Sequence, residues 1–95
     1  MQESELIEAV HKIVRANLTS EYRLMLFGSA ATGHSVPGSD LDLAIMGPAI
    51  VPAHTMAVMN AAVANIPTLR KIDLLDAAAA GPKLQAAIKR EAIQV

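Results

Sequence analysis

The sequence predicts an α/β fold of the α+β type, in which helices cover a small mixed β-sheet. Apolar residues recur at helical spacing near the start of the chain, and three later segments are short, apolar and bounded by turn residues, as strands are. A short, turn-rich stretch links the first two of these segments, which favours antiparallel pairing. A helix links the second to the third, which favours parallel pairing.

The predicted elements follow from apolar spacing and from turn residues. In the first helix, Leu6, Val10 and Ile13 form one stripe that we expect to pack against the sheet. Turn residues predict a loop over residues 34–39, and Pro82 suits the first turn of the last helix. In chain order we expect a helix over residues 3–17, strands over 22–27 and 40–46, a helix over 53–64, a strand over 71–75 and a helix from residue 81 onward.

The two later helices are each expected to bury one face. The buried face of the middle helix is predicted to comprise Met56, Met59, Val63 and Ile66. We interpret its methionines as flexible core residues and not as metal ligands. In the last helix we expect Leu84, Ile88 and either Ala92 or Ile93 to face the core.

Composition and charge predict one domain, residues 1–95, with no strongly basic surface. The chain carries 8 Lys and Arg against 9 Asp and Glu, so neither bulk nucleic acid nor a membrane is an expected partner. It has no Cys, and its first residues are acidic and unlike a signal peptide, so we expect a cytoplasmic location. Aromatic residues are sparse, with one Phe and one Tyr, so we expect a homo- or hetero-oligomer in which a partner chain covers part of the apolar surface.

Three carboxylates are expected to meet on one face of the sheet. Asp40 and Asp42 are two residues apart, so their side chains should project together while Leu41 and Leu43 project from the opposite face. If the third strand lies beside the second, Asp73 meets them. Such a group of carboxylate oxygens suits Mg²⁺, with Mn²⁺ as a substitute.

A glycine–serine pair ends the first predicted strand. Gly28 permits close backbone approach, and the N–H groups of the turn after it can hold phosphate oxygens. With Gly28 we group Ser29 and Ser39 as nucleotide-binding residues, and we expect Ser39 to brace the loop before Asp40. A metal-binding acid group beside a phosphate-binding turn predicts phosphoryl or nucleotidyl transfer from a Mg²⁺-bound nucleoside triphosphate.

Other interpretations of these acids are open on the residues alone. Asp40 and Asp42 can be the solvent-facing side of an amphipathic strand, and Asp73 an exposed strand residue. Asp76 is more typical of a helix cap or turn than of a metal ligand. Aspartyl-phosphate phosphatases also use a D-x-D pair, but there the apolar strand precedes the pair, whereas here Leu43 and the residues after it are apolar.

The order of these motifs carries a family resemblance. Gly28-Ser29 at the end of a strand, Ser-Asp-Leu-Asp-Leu-Ala at residues 39–44, and Asp73 on a later strand resemble the minimal nucleotidyltransferases of the DNA polymerase β-type nucleotidyltransferase superfamily. The resemblance covers residues 6–93. Members of this type are encoded beside a helical HEPN or substrate-binding partner and often act as antitoxins.

The resemblance implies a polymerase β-like fold and the transfer of a nucleoside monophosphate, with AMP from ATP expected, to a hydroxyl acceptor. That acceptor would lie on a partner protein if the chain is an antitoxin. Asp40 and Asp42 would bind two Mg²⁺ ions, and Asp73 would bind the ion nearer the acceptor and help to deprotonate the attacking hydroxyl. Gly28 and Ser29 would hold the β- and γ-phosphates. The implied partner is a helical HEPN-type protein from an adjacent gene.

The chain departs from the family pattern after the glycine–serine pair. Many minimal members continue with Arg-Ala-Arg-Gly, whereas residues 30–33 are Ala-Ala-Thr-Gly. The change removes positive charge that would lie near a triphosphate. The alternative function is therefore a binding module with weak or no catalysis, which neutralises or scaffolds a helical HEPN-type partner.

Overall fold

The computed structural model describes residues 2–33 and 39–95. Its elements are α1 (Glu3–Asn17), β1 (Arg23–Phe27), α2 (Ser29–Thr32), β2 (Leu41–Met46), α3 (Ala53–Ala64), β3 (Ile72–Asp76), a 3₁₀ turn (Ala77–Ala79), α4 (Pro82–Glu91) and β4 (Ile93–Gln94). The strands form one sheet in the order β3-β2-β1-β4. β1 is antiparallel to β2 and β4, and β2 is parallel to β3, which confirms the predicted mixed sheet. Residues 34–38 of the predicted loop lie outside the described residues.

α1 is an amphipathic helix with a defined start. A capping box opens it, in which Glu5 Oε1 accepts a hydrogen bond from the Gln2 N–H at 3.0 Å. Leu6, Val10 and Val14 are buried along its inner stripe. The helix therefore packs on the sheet as its spacing predicts.

α3 packs on the same side of the sheet as α1. Met59 and Val63 are buried, and Met56 and Ile66 pack against the same core, which confirms the predicted inner face. None of the helices in residues 2–33 and 39–95 combines the length and the apolar character needed to span a membrane.

Different elements pack on the two faces of the sheet. Leu24, Leu26, Leu43 and Ile45 pack on the first face with the buried residues of α1 and α3. On the second face, Phe27 and Ala44 pack with Ala77 of the 3₁₀ turn and Ile88 of α4. Because alternate strand residues share a face, Asp42 projects from the second face, beside Ala44.

The C-terminal part differs from the prediction. α4 ends at Glu91, and Ile93–Gln94 pairs with β1 as a short strand that the sequence pattern did not predict. Leu84 is 37% exposed, so the prediction that it faces the core was wrong. Of the two alternatives at the end of the helix, Ala92 packs against the core with Ile88, whereas Ile93 is 51% exposed. Helical spacing no longer applies to Ile93 after the helix ends, and the buried part of α4 is restricted to Ile88.

Candidate functional site

Asp42 and Asp73 lie side by side on neighbouring strands. Their Cα positions are partners in the parallel β2–β3 ladder, so both side chains project from the second face of the sheet. Asp40 comes just before β2 and two residues before Asp42. The structure therefore brings the three predicted acids to one end of the sheet, where β2 and β3 begin. Asp40, Asp42 and Asp73 are called the acid group below.

Asp42 is influenced by burial and by the charges of its neighbours. Burial raises the pKa of Asp42 above its ordinary value of 3.8, and the negative charges of Asp73 and Asp40 raise the pKa further. The positive charge of Lys71 acts in the opposite direction. Asp42 is thus a partly buried carboxylate whose ionised form is disfavoured by its surroundings.

Lys71 is a basic residue that the sequence motifs did not place at this site. It precedes Asp73 by two residues, and its Nζ lies 4.0 Å from Asp73 Oδ2. The two side chains are 68% and 43% exposed, so the pair itself contributes little to stability. Residues two apart on a strand project from the same face, so the spacing of Lys71 and Asp73 was the sequence signal that would have placed Lys71 beside the acids.

Gly28 lies directly against Asp42. Its φ of +74° and ψ of −153° belong to a region that is essentially restricted to glycine. A Cβ at this position would lie 2.5 Å from Asp42 Oδ2, closer than two such atoms can approach. Phe27, the preceding residue, is the ladder partner of Asp42. The glycine–serine turn is therefore placed beside the acids, and side-chain atoms at residue 28 are excluded.

α2 continues from Gly28 as one tight helical turn that begins at Ser29. The amides of Ala31 and Thr32 donate to the Gly28 carbonyl at 3.1 and 3.2 Å. Thr32 Oγ1 contacts the carbonyls of Gly28 and Ser29, both at 3.3 Å. The last turn of α2 contains no basic residue. The turn next to the acids is therefore ordered by its own backbone and brings no cationic side chain.

Ser39 lies at the entrance to β2, next to Asp40. Its carbonyl accepts a hydrogen bond from Arg70 Nε at 2.7 Å. Its Oγ is buried and has no hydrogen-bond partner among the described residues. The backbone of Ser39, and not its hydroxyl, thus makes the contact that holds this segment.

Asp76 is separate from the acid group, at the opposite end of β3. It is 8% exposed, and its Oδ2 accepts from the Val51 N–H at 2.7 Å while its Oδ1 accepts from the Ala78 N–H at 3.0 Å. It caps the 3₁₀ turn. The prediction that Asp76 acts as a cap is confirmed.

The chemistry of the acid group suits a divalent cation. Within residues 2–33 and 39–95, no three His, Cys, Asp or Glu side chains are already arranged as a metal-binding group. Carboxylates are nevertheless the ligands that Mg²⁺ and Mn²⁺ prefer. The repulsion that Asp40 and Asp73 impose on Asp42 is also what a cation would relieve. The residues present therefore fit such an ion.

A comparison with protein families agrees with this geometry. The family model for "Polymerase beta, Nucleotidyltransferase" matches residues 8–95. The chain belongs to this nucleotidyltransferase family. The family generally uses nucleoside triphosphates and divalent metals. No curated protein matches the sequence.

Solved structures show the same polymerase β-like fold as this nucleotidyltransferase domain. A chain of a toxin–antitoxin complex with AMP-PNP has a TM-score of 0.69 at 20% identity, with 98% of this chain and 72% of that chain covered. A chain from the complex of the tri-AMPylated Shewanella oneidensis HEPN toxin with its MNT antitoxin scores 0.68 at 17% identity, covering 98% and 71%. A protein assigned as a minimal nucleotidyltransferase scores 0.64 at 24% identity, covering 100% and 97%.

Proposed function

We propose that this chain is a Mg²⁺-dependent nucleotidyltransferase that transfers AMP from ATP to a hydroxyl group on a helical HEPN-type partner, as an antitoxin. The observation that carries the proposal is the pairing of Asp42 with Asp73 across parallel strands, with Gly28 in contact with Asp42. Family membership supports the reaction class. The similar structures support the partner and the nucleotide, since one contains AMP-PNP and another an AMPylated HEPN toxin.

In this proposal the acids have two tasks, to hold the divalent ions and to remove a proton from the acceptor hydroxyl. Asp40, Asp42 and Asp73 hold the divalent ions, which when bound neutralise the triphosphate and the charge that develops during transfer. Asp73 has a 43% exposed side chain at the edge strand of the sheet, where an acceptor can reach it. We assign to Asp73 the removal of the proton from the acceptor hydroxyl.

The glycine–serine turn and Lys71 would receive the triphosphate. Gly28 lies against Asp42 with no side-chain atoms of its own, and Ser29 begins the turn that follows it. In this proposal the backbone N–H groups of that turn hold phosphate oxygens. Ser39 braces the entrance to β2 through its carbonyl. Because α2 lacks basic residues, we expect nucleotide binding to depend on the divalent ion and to receive only modest help from Lys71.

The second candidate function is a binding module that neutralises the partner by covering it. Two observations favour it: the last turn of α2 contains no basic residue, and large apolar side chains remain exposed. Leu69 is fully exposed, Ile50 is 63% exposed and Val58 is 43% exposed. Such residues can contact a partner chain whether or not transfer takes place.

One experiment separates the two functions. The chain, labelled ATP and Mg²⁺ are incubated with the purified HEPN-type protein from the adjacent gene, and both label transfer and binding are measured. We expect wild type to label the partner, Asp73→Asn to bind it without labelling, and Asp76→Asn to do both while it is folded. If wild type transfers no label and both wild type and Asp73→Asn neutralise the partner equally, the binding-module function is correct.

A further inference from the structure

Arg70 connects three segments of the chain close to the acid group. Its Nε donates to the Ser39 carbonyl at 2.7 Å, and its Nη1 lies 2.9 Å from Glu3 Oε1 in the first turn of α1. The Arg70 side chain is only 16% exposed. Its own N–H donates to Thr68 Oγ1 at 3.1 Å, which fixes the backbone from which the side chain extends. A charged, mostly buried side chain is thus used to hold backbone in place.

The contacts of Arg70 bear on Asp40 in particular. Asp40 is exposed and precedes the β2 ladder, so its position depends on the residues that flank it. On one side, Arg70 holds the Ser39 carbonyl. On the other side, the Leu41 N–H donates to the Lys71 carbonyl at 2.9 Å. Asp40 is therefore held between two contacts to the consecutive residues Arg70 and Lys71, which lie just before β3.

We infer that Arg70 is a positioning residue for divalent-cation binding. By fixing Ser39, it keeps Asp40 in place at the entrance to β2, two residues before Asp42, and the ion pair with Glu3 keeps its guanidinium oriented. Arg70 acts through the backbone and does not itself bind the ion. The inference rests on the proposed function, because it concerns the same acid group.

The planar guanidinium is suited to this role. It presents several N–H donors in a fixed arrangement and can serve two acceptors on different segments at once. A lysine at this position would carry the same charge but a single ammonium group on a flexible stem. Arg70→Lys should therefore retain only part of the effect, while Arg70→Met should lose both contacts.

Arg15 supplies a matched control in another part of the molecule. Its guanidinium also holds backbone, donating from Nη1 to the Thr19 carbonyl at 2.8 Å and from Nη2 to the Tyr22 carbonyl. These contacts fix the link between α1 and β1, away from the start of β2. We expect Arg15→Met and Arg70→Met both to lower the melting temperature. Only Arg70→Met should change the acid group.

The test is calorimetric titration of each variant with Mn²⁺ alone, at a temperature where circular dichroism shows that all are folded. We expect Arg70→Met to weaken Mn²⁺ binding by about tenfold, the effect typical of losing a group that orients metal ligands. Arg70→Lys should give an intermediate loss, and Arg15→Met should bind as wild type does. Equal Mn²⁺ affinity in folded Arg70→Met and wild type would overturn the inference and leave the proposed function intact. Wild type that binds no Mn²⁺ would overturn both.

If Arg70→Met does not fold, Glu3→Gln decides the matter. It removes the charge that orients the guanidinium, and its control is Glu8→Gln, which breaks the exposed Glu8–Lys12 pair on the same helix. We expect Glu3→Gln to weaken Mn²⁺ binding by about two- to threefold and Glu8→Gln to leave it unchanged. Equal binding by the two variants would overturn the inference.

Discussion

β3 carries an acid near each of its ends, and the surroundings of the two acids differ. One lies among hydrogen-bond donors and the other among carboxylates. Asp76, at the last position, is 8% exposed, and two backbone N–H groups donate to its oxygens. Asp73, near the first position, faces Asp42, whose pKa is raised by burial and by the charges of Asp73 and Asp40. Asp76, the more deeply buried of the two, is the one whose carboxylate oxygens both accept hydrogen bonds.

The difference shows that burial does not by itself identify a functional carboxylate. The Asp76 carboxylate holds the Val51 amide, and so joins the entry to α3 to the end of β3. The cost of placing Asp42 among other acids is offset only in part by Lys71. A carboxylate group that remains short of positive charge is suited to bind a cation.

The largest effect is expected from exchanging each acid for its amide. Asp42→Asn should reduce metal-dependent nucleotide transfer by at least about a hundredfold, the scale of losing one group that stabilises the transition state. Asp76→Asn should leave transfer by the folded protein nearly unchanged, since Asp76 lies at the other end of β3. The measurement is the initial rate of label transfer from ATP to the partner. Equal losses in the two variants would contradict the distinction.

In stability the order of the same two variants should be reversed, with Asp76→Asn the more strongly impaired. Asp76→Asn should lower the free energy of unfolding by about 1–3 kcal/mol, because it weakens two charge-assisted hydrogen bonds to buried backbone. Asp42→Asn should raise it slightly in the absence of metal, because it removes repulsion among the acids. Urea unfolding with a chelator present measures both values. A metal-free Asp42→Asn that is less stable than wild type would show that the repulsion is already compensated.

Two glycines allow the close contact at Asp42 to be tested separately. Gly28→Ala combines a restricted backbone conformation with a 2.5 Å approach to Asp42 Oδ2, and should cost about 1–3 kcal/mol of unfolding free energy. Gly33 has a φ of +78°, but among the described residues no atom lies within 4 Å of the added Cβ, so Gly33→Ala should cost about 1 kcal/mol. Gly28→Ala should also weaken ATP binding. Equal costs in urea unfolding would mean that Asp42 moves aside freely.

Positive charge added near the acids should strengthen nucleotide binding. Of the two positions where many minimal nucleotidyltransferases carry Arg, Ala30 packs against the core, whereas Thr32 is exposed. Thr32→Arg should therefore tighten Mg²⁺–ATP binding by about tenfold at low salt, equivalent to about 1.4 kcal/mol. The control is Ala61→Arg, which adds the same charge to an exposed position on α3. Equal dissociation constants in the two variants would show that residue 32 does not face the phosphates.

The smallest effect is a dependence of stability on pH. Because the pKa of Asp42 is raised above 3.8 in the folded state, the folded chain holds this proton more tightly than the unfolded chain does. The stability gained from the protonated form is complete below pH 3.8 and is lost as the pH rises through the raised pKa. Metal-free wild type should therefore be less stable than Asp42→Asn at neutral pH, and the difference should disappear in acid. A difference in urea unfolding that does not change with pH would contradict the assignment.

Local patterns in the sequence were sufficient for most of the fold and for the pairing of Asp42 with Asp73. α1 and α3 have the residue ranges that apolar spacing and turn residues predict. The helical crossover predicted the parallel pairing that sets Asp73 beside Asp42. The two-residue spacing of Asp40 and Asp42 predicts that both lie on one face. These inferences required only regular geometry and one rule of strand connection.

Contacts between distant segments could not be predicted in the same way. The hydrogen bond from Arg70 to Ser39 joins residues 31 apart in the sequence, and no repeat or motif specifies it. β4 contains two residues, too few for an alternating pattern to appear. Its register depends on backbone pairing with β1, which includes the bond from the Val95 N–H to the Leu24 carbonyl at 3.0 Å.

The parallel pairing of β2 with β3 also has a consequence for the order in which the chain folds. Paired residues of the β2–β3 ladder are 31 positions apart in the sequence, whereas those of the β1–β2 ladder are 15 to 23 positions apart. Closing the longer loop costs more chain entropy. We therefore expect that the backbone amides of β3 become protected from hydrogen exchange after those of β1 and β2 during refolding. Pulse-labelled exchange measures this order, and simultaneous protection would contradict it. On this expectation, the acid group is assembled only after β1 and β2 have paired, when Asp73 docks beside Asp42.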